Sequence, residues 1–221
     1  KKQDELAQSI KAGHKMNLVG AIIVAAVIIG ASFFLSRGIA APGPSEGSSN
    51  LDLVSSVSEK DFVRGDRNAP ITLIEYADFS CHFCSLYHPT LQRLVAEYGG
   101  RVRWVYRNLP IFNIEASVSG QCVGKLAGEE TFWQFADTLY ANQDKYSTGY
   151  YKDVATDLGV DGDAYDACIS DPTVKNSIQT DFNRVRILLG FNSTPYNVLV
   201  DKDGRTFPFS GALPYDDLKS V

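Results

Sequence analysis

The chain has 221 residues, 44% of them hydrophobic and 11% aromatic, so it is long enough to bury the core of one globular domain with an appendage. Residues 1–41 carry five Lys/Arg and two Asp/Glu, a net charge of +3, whereas residues 42–221 carry 16 and 24, a net of −8. An acidic main domain is a poor candidate for binding nucleic acid, and we expect no such partner.

An uncharged stretch near the N-terminus predicts a membrane anchor. The 18 residues from Leu18 to Leu35 carry no charge, and as a helix they would extend roughly 27 Å, close to the thickness of a bilayer core. Four lysines precede this stretch and only Arg37 follows closely. The positive-inside rule therefore predicts a short cytoplasmic segment at 1–16, a single-pass anchor at 17–35 in the cell membrane, and an extracytoplasmic main domain.

Two other interpretations of this stretch remain open. Gly38-Ile39-Ala40 offers small residues at the spacing of a signal-peptidase site, so the segment could be a cleaved signal peptide, which also means export. The stretch could instead be a buried core helix, although it has no polar face. The following residues 36–58 are rich in Gly, Pro, Ser and Ala at their start, and we expect a flexible linker there.

A packed domain begins near residue 59 with a short strand and a turn. Residues 71–79 form an apolar run with little alternation, which predicts a central strand buried on both faces. Residues 82–100 have a helical apolar period and end at two glycines, and 101–110 alternate as a second strand. This order predicts a right-handed β-α-β crossover.

The rest of the chain is helical and then extended. Residues 111–190 have helical character almost throughout, punctuated by glycines, Asp and Asn. Residues 195–211 read as two strands joined at Asp201–Gly204, a hairpin with the expected turn residues, and a last helix begins near Tyr215. The predicted class is therefore α/β with a large helical insertion.

Cys81 and Cys84 lie where the first long strand gives way to a helix. Residues at i and i+3 of a helix are neighbours, and a small adjustment of the first turn allows a disulfide. A thiol at a helix N-terminus faces free backbone N–H groups, so its thiolate is favoured and its pKa falls. Cys81 is then the nucleophile and leaving group, and Cys84, one turn deeper, resolves the mixed disulfide.

In this order of elements, with Cys81-His82-Phe83-Cys84 at the strand-to-helix junction, the sequence resembles the DsbA-like branch of the thioredoxin superfamily. Three further features carry the resemblance: Glu75 six positions before Cys81, the helical insertion, and Thr194-Pro195 before the hairpin. It covers about residues 59–219. The resemblance implies a thioredoxin-like fold with a helical insertion domain and an extracytoplasmic thiol:disulfide oxidoreductase, with no cofactor.

The resemblance also implies roles for individual residues. Glu75 looks like the family's buried acid, which exchanges a proton with the resolving cysteine; the alternative is a strand-edge glutamate paired with a residue such as Arg103. Thr194-Pro195 matches the family's cis-proline, beside which substrate chains bind. The strongly oxidising members carry Pro-His between their cysteines, and here His82 could favour the thiolate or be a solvent-exposed histidine with no such contact.

Two further cysteines lie in the predicted insertion. Cys122 and Cys168 are 46 positions apart, and an even number of cysteines in an exported domain favours a structural disulfide between them. Two buried free thiols are the alternative.

A metal site and a chaperone-like module are the alternatives to disulfide exchange. A metal site could use Cys81, Cys84, His88 and Cys122, but there is no second closely spaced pair and no methionine in the main domain, and we expect no metal. A chaperone-like module would use the pair only as a staple. Aromatic residues of the insertion could line a groove for clients or belong to the core: Phe132, Trp133, Phe135, Tyr140, Tyr146, Tyr150 and Tyr151.

The predicted function is a membrane-anchored dithiol oxidase that introduces disulfides into reduced or unfolded exported proteins. A reductase or isomerase is the alternative direction, since the sequence does not give the redox potential. The resemblance implies reoxidation by a quinone-linked membrane oxidase of the DsbB or VKOR type.

Overall fold

The computed structural model describes residues 46–190 and 193–221. The predicted N-terminal segment at 1–16, the anchor at 17–35 and the first part of the predicted linker lie outside these ranges. Of the helices that the structure describes, none combines the length and the apolar character needed to cross a bilayer.

The described chain is built on a five-stranded mixed sheet. The strands are β1 (Phe62–Arg64), β2 (Ile71–Ala77), β3 (Val102–Asn108), β4 (Tyr196–Val200) and β5 (Thr206–Ser210). Their spatial order is β1-β3-β2-β4-β5. The strand β2 runs parallel to β3 and antiparallel to β4, and each outer strand is antiparallel to its neighbour. The apolar run predicted as a central strand is β2, and six of its seven residues are buried.

Seven α-helices pack around this sheet in the described ranges. They are α1 (Glu46–Ser55), α2 (His82–Tyr98), α3 (Ile114–Ala141), α4 (Thr148–Asp157), α5 (Gly162–Ser170), α6 (Pro172–Leu189) and α7 (Tyr215–Ser220). The N-cap residues of α4, α5 and α6 are Ser147, Asp161 and Asp171, and each side chain accepts a hydrogen bond from a backbone N–H of the first turn. The helix α3 is interrupted at Gly128, whose φ of 89° is costly for other residues.

The predicted flexible linker at 36–58 is wrong over its second half. Residues 46–55 form α1, and Val54 is only 2% exposed. Leu51, Val54 and Val57 recur at a spacing of three residues. All three pack in the hydrophobic cluster that contains Val185 of α6. This apolar period outweighs the Ser- and Gly-rich composition that suggested a tether.

Alternation along the strands divides the core into two layers. Leu73 of β2 and Trp104 of β3 point to the side covered by α2, α3 and α4, and Ile74 and Val105 point to the side of α1 and α6. Most of the predicted aromatic set belongs to the first layer: Phe132, Trp133, Phe135, Tyr140 and Tyr151 are buried, and Tyr146 and Tyr150 pack against that core. The aromatic set is therefore mainly core.

Both outer strands have a protected backbone. The N–H of Val63 in β1 donates to the Glu129 carboxylate at 2.7 Å, and Arg67 contacts the same oxygen at 2.7 Å. In β5, Pro208 lies opposite Val198 and has no backbone N–H.

A glycine lets β1 and α3 approach closely, and this contact gives a first prediction. A Cβ added at Gly124 would lie 2.2 Å from the ring of Phe62, which is stacked on Phe132 with ring centroids 3.7 Å apart. The stacked ring cannot easily retreat, so we expect Gly124→Ala to destabilise the protein by about 1–3 kcal/mol in urea unfolding. The helical Gly149, where an added Cβ meets only the Ser147 hydroxyl at 4.0 Å, is the control. An unchanged unfolding midpoint for Gly124→Ala would contradict the prediction.

Candidate active site

Cys81 and Cys84 lie at the N-terminus of α2, just beyond the C-terminal end of β2. Both are free thiols, and Cys81 is the more exposed of the two, at 3% against 0%. Cys81 is the N-cap residue with extended φ and ψ of −78° and 120°, and its side chain makes no capping hydrogen bond. The backbone N–H groups of Phe83 and Cys84 are therefore free to face its sulfur.

These surroundings favour the Cys81 thiolate. The Cys84 thiol, the Thr194 side chain and the N–H groups of the first helical turn outweigh burial and lower the pKa of Cys81 to about 6. When protonated, Cys81 Sγ donates to the carbonyl oxygen of Thr194 at 3.3 Å. The buried Thr194 hydroxyl has no partner in that state, so it is available to the thiolate.

The surroundings of Cys84 favour the protonated thiol. Burial raises the pKa of Cys84 well above its ordinary range, and the nearby Cys81 and Glu75 raise it further. One thiol of the pair thus ionises easily while the other retains its proton.

Glu75 is a buried acid on the central strand, directly opposite Tyr106 of β3 and Asn197 of β4. Burial raises its pKa to about 8, although the indole N–H of Trp104 donates to its carboxylate at 3.1 Å. The alternative pairing with Arg103 is absent from the described contacts, since that guanidinium binds Thr72 and the carbonyl of Arg67.

The other predicted site residues lie beside the pair or apart from it. The Thr194–Pro195 peptide is cis, and its carbonyl oxygen contacts Cys81. His82 is exposed and its ring lies edge-on to Phe83 with centroids 5.8 Å apart, so its influence on the thiolate stays a prediction. Cys122 and Cys168 form a disulfide between α3 and α5, with sulfurs 2.04 Å apart.

Two residues of the alternative metal set, His88 and Cys122, are engaged elsewhere. Cys122 is bonded to Cys168, and His88 Nε2 lies 2.6 Å from the carboxylate of Asp137, which also binds Arg64 at 2.8 Å. Burial lowers the pKa of His88 against the pull of that carboxylate. In the ranges that the structure describes, no group of three His, Cys, Asp or Glu side chains is placed to hold a metal ion.

Three residues of the site were not anticipated from the sequence. Trp104 binds Glu75, and strand alternation could have indicated it, since it shares a face of β3 with Tyr106 opposite that acid. The buried Asp78 accepts the N–H of Ser80 at 2.8 Å and anchors the loop after β3. Gln143 reaches the loop between β2 and α2 from the insertion, 62 positions from Cys81, and no local sequence pattern indicates this contact.

The titration of the pair gives a second prediction. We expect the ultraviolet absorbance of the thiolate in the reduced protein to rise with a midpoint near pH 6 and an amplitude of one thiolate, because Cys84 stays protonated. The Cys81→Ser variant should lack this transition. A midpoint near 9, the ordinary value for a thiol, would contradict the assignment.

Comparison with known proteins gives the family and the fold of the chain. The model of the thioredoxin family matches residues 57–218. The structure of Wolbachia pipientis alpha-DsbA1 superposes with a TM-score of 0.68 at 20% identity, covering 77% of this chain and 92% of that one. The predicted thioredoxin-like arrangement with a helical insertion is confirmed by this likeness of fold.

Similarity in sequence extends to proteins with different names. A Na(+)/H(+) antiporter NhaA 3 of Salinispora tropica is 34% identical over 138 residues, which are 61% of this chain and 21% of the antiporter. A putative protein-disulfide oxidoreductase of Rickettsia bellii is 27% identical over 149 residues, 63% of this chain and 56% of that protein. The matched region is about a fifth of the antiporter's length. With most of its length matched by the family model, the chain belongs to the thioredoxin family and has the DsbA-like fold within it.

Proposed function

We propose that this protein is a membrane-anchored, extracytoplasmic thiol:disulfide oxidoreductase that works mainly as a dithiol oxidase. The observation that carries the proposal is the contrast between the two thiols at the start of α2. Cys81 has a pKa of about 6, whereas burial raises that of Cys84. A stabilised thiolate favours the reduced pair, so the disulfide form accepts electrons readily.

The proposed exchange transfers the disulfide bond from the enzyme to the client. A client thiolate attacks Cys81 Sγ of the enzyme disulfide, the Cys81–Cys84 bond breaks, and the Cys84 sulfur leaves with the electron pair. Glu75, with its raised pKa of about 8, is protonated at neutral pH and supplies the proton that Cys84 requires. The second client thiolate then attacks the client sulfur of the mixed disulfide and releases Cys81 as thiolate. The client gains a disulfide and the enzyme is reduced.

The surface around the pair suits extended apolar clients. Phe83 and Leu86 on α2 and Phe112 on the loop held by Asp78 are 60%, 58% and 69% exposed. Unfolded proteins expose apolar side chains that such a rim can bind. The carbonyl of Thr194 beside Cys81 lies where a bound chain would pass.

The location and the electron acceptor belong to the same proposal. The lysine-rich residues before 17–35 support a cytoplasmic N-terminus, and a Cys122–Cys168 disulfide is typical of an oxidising compartment. The reduced enzyme needs an oxidant to turn over, and we propose a quinone-linked membrane oxidase of the DsbB or VKOR type in that role.

Equilibration of the Cys81–Cys84 pair in glutathione buffers tests the proposed direction. We expect a potential less negative than about −200 mV, compared with about −270 mV for thioredoxin. A potential as negative as that of thioredoxin would overturn the oxidase proposal in favour of a reductase. Catalysed oxidation of a reduced, unfolded protein by the disulfide form should accompany the less negative value.

A further inference from the structure

A side chain of the helical insertion holds the loop that leads to Cys81. Gln143 lies in a single 3-10 turn, Gln143–Lys145, between α3 and α4. Its Nε2 donates to the carbonyl oxygen of Phe79 at 2.6 Å and to that of Cys81 at 3.0 Å. One amide group thus uses both of its hydrogens on the peptide carbonyls that flank Ser80.

Each of these carbonyls has a second partner, so the role of Gln143 is not to satisfy an orphan acceptor. The Cys81 carbonyl also accepts the N–H of Ser85 at 3.1 Å, which is the first hydrogen bond of α2, and the Phe79 carbonyl accepts the Tyr146 hydroxyl at 3.1 Å. Removing the amide would therefore leave neither carbonyl unpaired. What it would remove is the restraint on the orientation of the loop.

The orientation of this loop decides which groups surround the Cys81 sulfur. The sulfur must meet the first-turn N–H groups of α2 on one side and Thr194 on the other. The negative ends of the Phe79 and Cys81 carbonyl dipoles lie on the same loop as this sulfur. The two amide hydrogens directed at those oxygens add partial positive charge to a loop whose carbonyl dipoles disfavour a thiolate.

We propose that Gln143 is a positioning residue for the Cys81 thiolate, through which the helical insertion sets the reactivity of the redox pair. The inference deepens the proposed function, because it concerns the nucleophile of that exchange. It predicts that loss of the two donated hydrogen bonds lowers the proportion of Cys81 thiolate, even when the packing of the side chain is kept.

Two substitutions separate these contributions. Gln143→Met keeps the length of the side chain but removes both donors, whereas Gln143→Lys keeps a donor that can reach both carbonyls and adds a positive charge. A net hydrogen-bond contribution of about 0.5–1.5 kcal/mol corresponds to a roughly threefold to tenfold change in the thiolate equilibrium. We therefore expect the ratio of thiolate to thiol at pH 6 to be about three to ten times lower in the methionine variant. In the lysine variant we expect this ratio to be at least as high as in the unaltered protein.

The measurement is the ultraviolet titration of the thiolate in the reduced protein, with folding checked by circular dichroism. Gln134→Met, on the exposed side of α3, is the matched control and should leave the midpoint unchanged. The groups near Cys81 that titrate or carry charge are retained in every variant, so a shift reports on position 143: Glu75 from β2, Cys84 and His82 from α2, Asp78 from the loop, and Tyr146 from the insertion.

An upward shift for Gln143→Met that is absent for Gln143→Lys supports the proposal. It is overturned if folded Gln143→Met keeps the unaltered midpoint, which would mean a structural role alone, or if Gln143→Lys shifts upward as Gln143→Met does. Should the methionine variant fail to fold, an upward shift of the midpoint in the folded lysine variant still overturns the proposal, and a midpoint at or below the unaltered value supports it. The titration needs no client, so failure of the oxidase proposal in the glutathione experiment would be recognised separately.

Discussion

Replacement of Glu75 by glutamine is expected to stabilise the reduced protein by about 3 kcal/mol at pH 7. The acid has a pKa of about 8 in the folded state against an ordinary value of 4.5. Below pH 4.5 both the folded and the unfolded state hold the proton, so the group does not lower the free energy of unfolding. As the pH rises from 4.5 to 8 the unfolded state releases its proton while the folded state retains it, so the unaltered protein loses stability over that window.

Glutamine has no proton to lose and can still accept the Trp104 N–H through its amide oxygen. Urea unfolding at a series of pH values should therefore show the advantage of Glu75→Gln growing from near zero at pH 4.5 to its maximum at about pH 8. Glu130→Gln, at an exposed position on α3, controls for the loss of a carboxyl group. A difference that is the same at pH 5 and pH 8 would show that Glu75 is not a buried, protonated acid.

The same substitution should slow disulfide exchange, because the amide cannot supply the proton that the Cys84 sulfur takes up. General acid catalysis by a positioned group typically contributes 100-fold or more, and we expect a loss of about 100-fold in the oxidation of a reduced peptide at pH 7. A gain in stability together with a loss in rate is the signature of a functional acid. A gain in stability with an unchanged rate would leave Glu75 without a role in the reaction.

The second large effect is expected for Cys84→Ser, which should lose all turnover and accumulate a mixed disulfide. Cys81 keeps its favourable position at the start of α2 and can still attack a client disulfide. The serine hydroxyl cannot displace the client sulfur, so the covalent intermediate persists. Mass spectrometry of the variant with a disulfide-bonded peptide should find one peptide joined to Cys81.

The matched control removes the other cysteine pair. The Cys122→Ser/Cys168→Ser double variant should retain turnover, because this disulfide joins α3 to α5 in a different hydrophobic cluster from that of Cys81 and Cys84. It should be less stable by about 4 kcal/mol in the chain-entropy treatment of a closed loop of this length. If Cys84→Ser turned over at the rate of the unaltered protein, a two-cysteine exchange mechanism would be wrong.

The sequence allowed the sheet, the helical block and the redox pair to be predicted because each has a local signal. The apolar run of β2, the two glycines that end α2 and the turn between β4 and β5 are all contained in short stretches. The helix α1 was missed because its composition resembles a tether, although Leu51 and Val54 have the spacing of a buried helical face. The spacing of the apolar residues therefore indicates this helix better than the composition of the segment does.

The partners of the site residues were not predictable in the same way. Trp104 meets Glu75 only through the register of two parallel strands, 29 positions apart, and Thr194 meets Cys81 across 113 positions. Gln143 approaches from a turn whose sequence has no feature that points to the redox pair. The Gln143 contact is set by how the insertion packs against the loop before Cys81, and a one-dimensional pattern does not contain that information.

The protected outer strands of the sheet have a consequence for a protein that meets unfolded chains. An open strand edge is a template on which an extended polypeptide can add itself by backbone hydrogen bonds. The Glu129 carboxylate occupies the N–H of Val63 on one edge, and Pro208 withholds an N–H on the other. A reduced client with many extended segments is thereby discouraged from co-aggregating with its own catalyst.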